Sequence, residues 1–184
     1  MPGVPPPRPA SKPVLRIGFL TSIETDEGDF VAGLLLTNRF GRPLEFQCTC
    51  PVSPNRAQRL LYGSTLRPYL IGELMARALL DNLEQPPDLL VTDQLEILEL
   101  RQHVEVPIAC LTEDESPATD SPSLRLGRRF LRVHPAHQSD VATFHDRADA
   151  IAPDADLVEP LDRVRSALSE TLSTFPGTNR EQRR

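Results

Sequence analysis

Apolar positions along this chain recur first at the spacing of strands and then at the spacing of helices. Residues 14–22, 30–37 and 42–50 read as three consecutive strands, with Leu44, Phe46, Cys48 and Cys50 alternating onto one face of the third. An acidic loop over residues 24–29 joins the first two. Asn38-Arg39-Phe40-Gly41 joins the second and third, with Gly41 free to take a positive φ. Pro51 and Pro54 stop the third strand. Ser53 is placed to cap a short helix that ends at Gly63. Ser64 is placed to cap a longer one, in which Leu66, Leu70, Leu74, Met75, Ala78 and Leu79 repeat at helical spacing until Gln85-Pro86-Pro87.

Beyond that point short apolar strands alternate with helices. Residues 88–92 and 106–111 predict strands separated by a small helix over 95–101, and 124–133 predicts one further strand. Helices follow near 138–150 and 156–174, broken at Ala152-Pro153-Asp154. Residues 1–13 are proline-rich, 112–123 are acidic with Ser and Pro, and 176–184 are polar. These three segments predict disordered ends and one loop around a single α/β domain over 14–175. The expected fold is a mixed sheet: an antiparallel three-strand start, then helix, strand, helix, strand, and C-terminal helices.

Composition narrows the function classes. Of the 184 residues 39% are hydrophobic but only 5% aromatic, with no Trp, so aliphatic side chains must supply the core. A net charge of −6 disfavours a nucleic-acid partner, which calls for a basic excess to neutralise phosphates; the expected partner is a protein. No apolar run is long enough to span a membrane. Three Cys without a dense framework, and no apolar signal core, fit a cytoplasmic protein. No Gly-x-Gly-x-x-Gly and no Gly-Lys-Ser/Thr occurs to cradle a phosphate.

Two acids carry the candidate chemistry. Glu73 lies within Ile71-Gly72-Glu73-Leu74-Met75-Ala76-Arg77-Ala78-Leu79-Leu80, and Asp93 closes Leu89-Leu90-Val91-Thr92-Asp93. These two segments, after three strands, resemble the helix and strand that carry two catalytic carboxylates in the ribonuclease H-like superfamily. The resemblance covers roughly residues 14–111 by order of elements. It implies a two-metal nuclease using Mg or Mn, whose further ligands here would be Asp26 and His134, with Asp140, Asp146 and His137 as other late candidates. The chain departs from that pattern in its first strand, where Val14 to Ser22 include no acid. The simpler interpretation makes Glu73 a polar-face residue and Asp93 the N-cap of the helix that follows it, and it is preferred. Residues 87–108 also resemble the middle of a response-regulator receiver domain, but the chain has no Lys after Lys12, as that family requires.

Other constellations are weaker. Cys48 and Cys50 with His134 and His137 would make a Cys2His2 zinc site, although neither spacing is that of a zinc motif, and two small apolar residues in a strand core is the preferred account. Cys110, within Pro-Ile-Ala-Cys-Leu, reads as a buried core residue rather than a nucleophile. Arg56, Arg59 and Arg67 interleave with Tyr62 and Tyr69 in a stretch without acids from 52 to 72, as a binding surface would. The expectation is a non-catalytic interaction or adaptor domain with no cofactor. A divergent nuclease and a small zinc-binding protein are the alternatives.

Overall fold

The computed structural model describes residues 15–112 and 122–174. The tails expected at 1–13 and 176–184, and most of the acidic loop, lie outside the described residues. Seven strands form one mixed sheet: β1 (Arg16–Glu24), β2 (Phe30–Asn38), β3 (Pro43–Cys48), β4 (Leu89–Thr92), β5 (Ile108–Thr112), β6 (Ser123–Leu126) and β7 (Arg129–Val133). Their order is β3-β2-β1-β4-β5-β7-β6. The first three strands are antiparallel, β4 and β5 run parallel to β1, β7 pairs antiparallel with β5, and β6 pairs antiparallel with β7. This is the mixed α/β sheet with C-terminal helices that the sequence pattern predicts. The stretch 124–133, read from sequence as one strand, is a hairpin. Gly127, at φ 59°, makes the turn, and a Cβ there would stand 2.8 Å from the Ala155 carbonyl oxygen.

Helices cover both faces. On one side lie α1 (Arg56–Tyr62), a 3-10 turn (Gly63–Thr65), a π-helix (Pro68–Met75), α2 (Ala76–Asp81) and a 3-10 helix (Leu95–Gln102). On the other lie α3 (Asp140–Ala148) and α4 (Glu159–Thr174). Each face has its own apolar core. Leu20, Leu34, Leu90 and Ile108 meet Leu70, Ile71 and Ile97 on the first, and Ile17, Phe19, Leu35 and Val91 meet Phe144, Leu161, Val164 and Leu168 on the second. Neighbours such as Phe19 and Leu20 point to opposite layers, as the two-residue strand period requires. Full burial of each such side chain contributes about 1.5–3 kcal/mol. Gly33 lets α4 approach, because a Cβ there would lie 2.8 Å from Val164 Cγ1.

The long helix expected from Ser64 onward is instead broken into three forms. Its buried positions, Leu70 with Met75 and Ile71 with Ala76, are five apart, and the Ala76 amide donates back to the Ile71 carbonyl. That wider turn carries Leu74, read as a core position, to the surface at 48% exposure. Gly72 is what permits the packing: a Cβ would stand 2.4 Å from the Glu96 carbonyl oxygen. The short helix α1 is capped by Asn55, not Ser53. Asn55 accepts from the Gln58 amide while the Gln58 side chain accepts from the Asn55 amide, and Gly63 ends the helix as expected.

Candidate functional site

The parallel register of Leu20 with Thr92 sets Thr21 of β1 beside Asp93, just past the end of β4. Thr21 Oγ1 donates a 2.8 Å hydrogen bond to Asp93 Oδ1. The other carboxylate oxygen, Oδ2, is paired with the guanidinium of Arg165 on α4. Arg165 also holds Asp162, one turn earlier, at 2.8 Å. Next to this group the Ser22 amide and hydroxyl donate to Gln94 Oε1 at 3.0 and 2.8 Å, and Gln94 Nε2 returns a bond to the Ser22 carbonyl at 3.1 Å. The ends of β1 and β4 are thereby joined by side chains where their backbone ladder stops. A recess of 240 Å³ opens there, lined by Asp93, Leu111, Thr112, Arg129, Val158 and Arg165. It lies at the carboxyl ends of the parallel strands, the usual ligand position of such sheets.

Asp93 is therefore not the helix cap read from sequence. The 3-10 helix that follows has Gln94 at its N-cap without a side-chain cap, and the Asp93 oxygens turn toward β1 and α4 instead. Glu73 is half-exposed in the opposite layer, with its Oε2 3.8 Å from His103 Nε2. Asp26 is exposed in the β1–β2 turn. His134 is buried past β7, where its Nδ1 accepts from the Ala136 amide and its Nε2 lies 3.7 Å from Glu99. Accepting at Nδ1 leaves the neutral ring's proton on Nε2, facing that carboxylate. Glu73, Asp93, Asp26 and His134 thus each keep separate company. Among the described residues no group of three or more His, Cys, Asp or Glu is placed to hold a metal ion.

Strand order also separates the zinc candidates. Cys48 and Cys50 flank the end of β3 and His134 and His137 follow β7, five strand spacings away, or about 24 Å. Both cysteines are exposed, so the strand-core account of them is corrected as well. Burial of Cys48 is partial and, with the neighbouring Cys50, pushes its thiol pKa up. Cys110 is buried as expected, and burial raises its pKa to about 12, with Glu96 adding to the effect and Arg132 opposing it.

The aromatic and basic stretch is partly assembled. Tyr62 and Tyr69 stack with ring centres 4.8 Å apart, and Tyr69 raises the pKa of the exposed Tyr62. Two of its three arginines are engaged within the chain. Arg59 donates to the carbonyls of Gly28 at 2.7 Å and Pro54 at 3.2 Å. Arg67 pairs with Glu24 at 2.7 Å and Glu96 at 3.3 Å, and lies over the Phe30 ring. Arg56 is exposed at the start of α1.

Thr21, Gln94 and Arg165 escaped sequence reasoning. The signal for Arg165 lay in α4, where Leu161, Val164 and Leu168 set the buried stripe and leave 165 at its border. A buried ion pair was also missed: Arg101 Nε and Nη2 donate to Asp140 at 2.8 and 3.1 Å, with Asp140 only 2% exposed.

No protein-family model and no curated protein matches this chain. Among solved structures, it is similar to the crystal structure of Ciona intestinalis endonuclease V in complex with a 23mer DNA containing an inosine followed by a ribo-adenosine. The identity is 10% and the TM-score 0.45, over 88% of this chain and 86% of that one. No helix among the described residues is long and apolar enough to cross a membrane.

Proposed function

We propose that this chain is a non-catalytic binding domain whose carboxylate at the end of β4, Asp93, is held shut by an arginine. The observation that carries this reading is that both Asp93 oxygens are engaged: one takes the Thr21 hydroxyl and the other the Arg165 guanidinium. Two-metal hydrolysis needs several carboxylates converging on cations about 4 Å apart. Here the residue of β1 beside Asp93 is a threonine, and α4 sets the Arg165 cation between Asp93 and its own Asp162. A divalent ion entering this point would meet two carboxylates, Asp93 and Asp162, both already paired with Arg165, and the repulsion of that guanidinium. The expected partner is a protein, in keeping with the net charge of −6.

A second reading, a divergent metal-dependent nuclease, draws on one observation: the chain puts Asp93 at the carboxyl end of a parallel strand beside β1, behind a three-strand antiparallel start. Labelled single- and double-stranded RNA and DNA, incubated with the protein and Mg²⁺ or Mn²⁺, separate the two. The binding-domain reading expects no cleavage above that of the Asp93→Asn protein. Cleavage that this substitution abolishes would establish the nuclease.

A further inference from the structure

The edge strand β3 carries its side chains in the reverse of the sense its own fold would use. Its polar residues Glu45 and Gln47 are half-buried, while Leu44 and Phe46 on the same short strand are exposed by 51% and 38%. Phe46 stands opposite Leu35, on the α4 face, yet α4 sits over β1 and β2 and leaves β3 uncovered. Phe40, in the turn that leads into β3, is exposed by 77%. An alternating strand whose apolar side faces solvent is an interaction edge rather than a core strand.

We propose that β3 pairs antiparallel with β3 of a second copy, so that the sheet continues through a two-fold homodimer. The backbone supports this directly. Thr49 donates to the Ala32 carbonyl, and alternation along the ladder then turns Gln47 and Glu45 toward β2 and leaves the N–H and C=O of Phe46 and Cys48 pointing outward. Antiparallel pairing must match these outward residues with each other, which restricts the register to steps of two. The register centred on Glu45 would set Glu45 against its own symmetry mate, a like-charge contact. The register centred on Phe46 sets Phe46 against Phe46, Leu44 against Cys48 and Glu45 against Gln47 of the second copy. It overlaps five residues of β3 and places no like charges opposite. A self-complementary edge of this kind closes at two subunits instead of propagating.

Sedimentation equilibrium of the full chain from low to high micromolar concentration tests the proposal. The mass is expected to rise toward twice 20.5 kDa. Phe46→Lys, which sets two cations face to face, is expected to raise the dissociation constant at least tenfold. Leu61→Lys, at a residue 85% exposed on α1, is expected to leave it unchanged. In a Cys50→Ser background, Leu44→Cys is expected to give a 44-to-48 product with a short bifunctional thiol reagent, read by mass spectrometry. A monomer at every concentration, as when another segment or a foreign peptide covers the edge, overturns the proposal. So does a dimer indifferent to Phe46→Lys, or a cross-link that joins other positions only. Circular dichroism of each variant separates loss of pairing from loss of fold.

Discussion

The centre of the sheet and its β3 edge use the same alternating chemistry with opposite results. Along β1, β2 and β4, both faces are covered and the buried hydroxyls are paired: Thr21 with Asp93, Ser22 with Gln94, Thr37 with the Ile17 carbonyl and Thr92 with the Gln94 amide. On β3 the polar side chains face the partly covered layer and the apolar ones face water. Strand period decides which residues share a face. Whether that face is buried depends on how far the covering helices reach, and α4 stops short of the edge.

This contrast is most severely tested where covering layers touch the sheet. Gly72→Val drives a side chain into the Glu96 backbone and is expected to cost roughly 3 kcal/mol or more, read as a lowered midpoint in urea. Gly33→Val, beneath Val164 and Leu168, is expected to cost roughly 2 kcal/mol, because side chains can yield where backbone cannot. Asp93→Ala strips the partner from Arg165 and from the Thr21 hydroxyl; with both charged groups partly exposed, the loss is expected to be roughly 1–2 kcal/mol.

Thiols give a gentler comparison of the same two regions. At neutral pH the central Cys110 is expected to react with iodoacetamide about a hundredfold or more slowly than the edge residue Cys50, by peptide mass spectrometry. Its ionisation carries a sign for stability as well. The folded pKa of about 12 lies above the ordinary 9.0, so the unfolded chain gives up this proton first. The contribution is complete below pH 9.0 and is lost as pH rises toward 12, which alkaline titration of the urea midpoint would detect. Smallest of all, Phe46→Ser at low protein concentration is expected to change stability by less than about 0.5 kcal/mol, as for an ordinary surface site.

The fold was legible where period and punctuation agree. The three-strand start, the strands read at 88–92 and 106–111 and found at Leu89–Thr92 and Ile108–Thr112, and the two C-terminal helices all follow from spacing and prolines. Two local features were not. The π-helix moves its apolar positions to a five-residue interval, so a 3.6-residue pattern assigned Leu74 to the core. Gly127 splits a continuous apolar and basic run into a hairpin, a turn that periodicity does not record. At the candidate site, Asp93 stood out as the acid closing a buried strand, but its partners lie 72 residues before and 72 after it. Only the β1–β4 register and the docking of α4 bring them together. The same dependence on strand order parts Cys48 from His134, which no local spacing could report.

Isothermal titration of Mn²⁺ into the protein, beside its Asp93→Asn and Arg165→Ala variants, tests the closure of Asp93 most directly. The account predicts no saturable binding by the unaltered protein and no difference on Asp93→Asn, since the carboxylate is already committed to Thr21 and Arg165. Saturable binding by the unaltered protein that Asp93→Asn removes would contradict it, and would make this recess a working metal site.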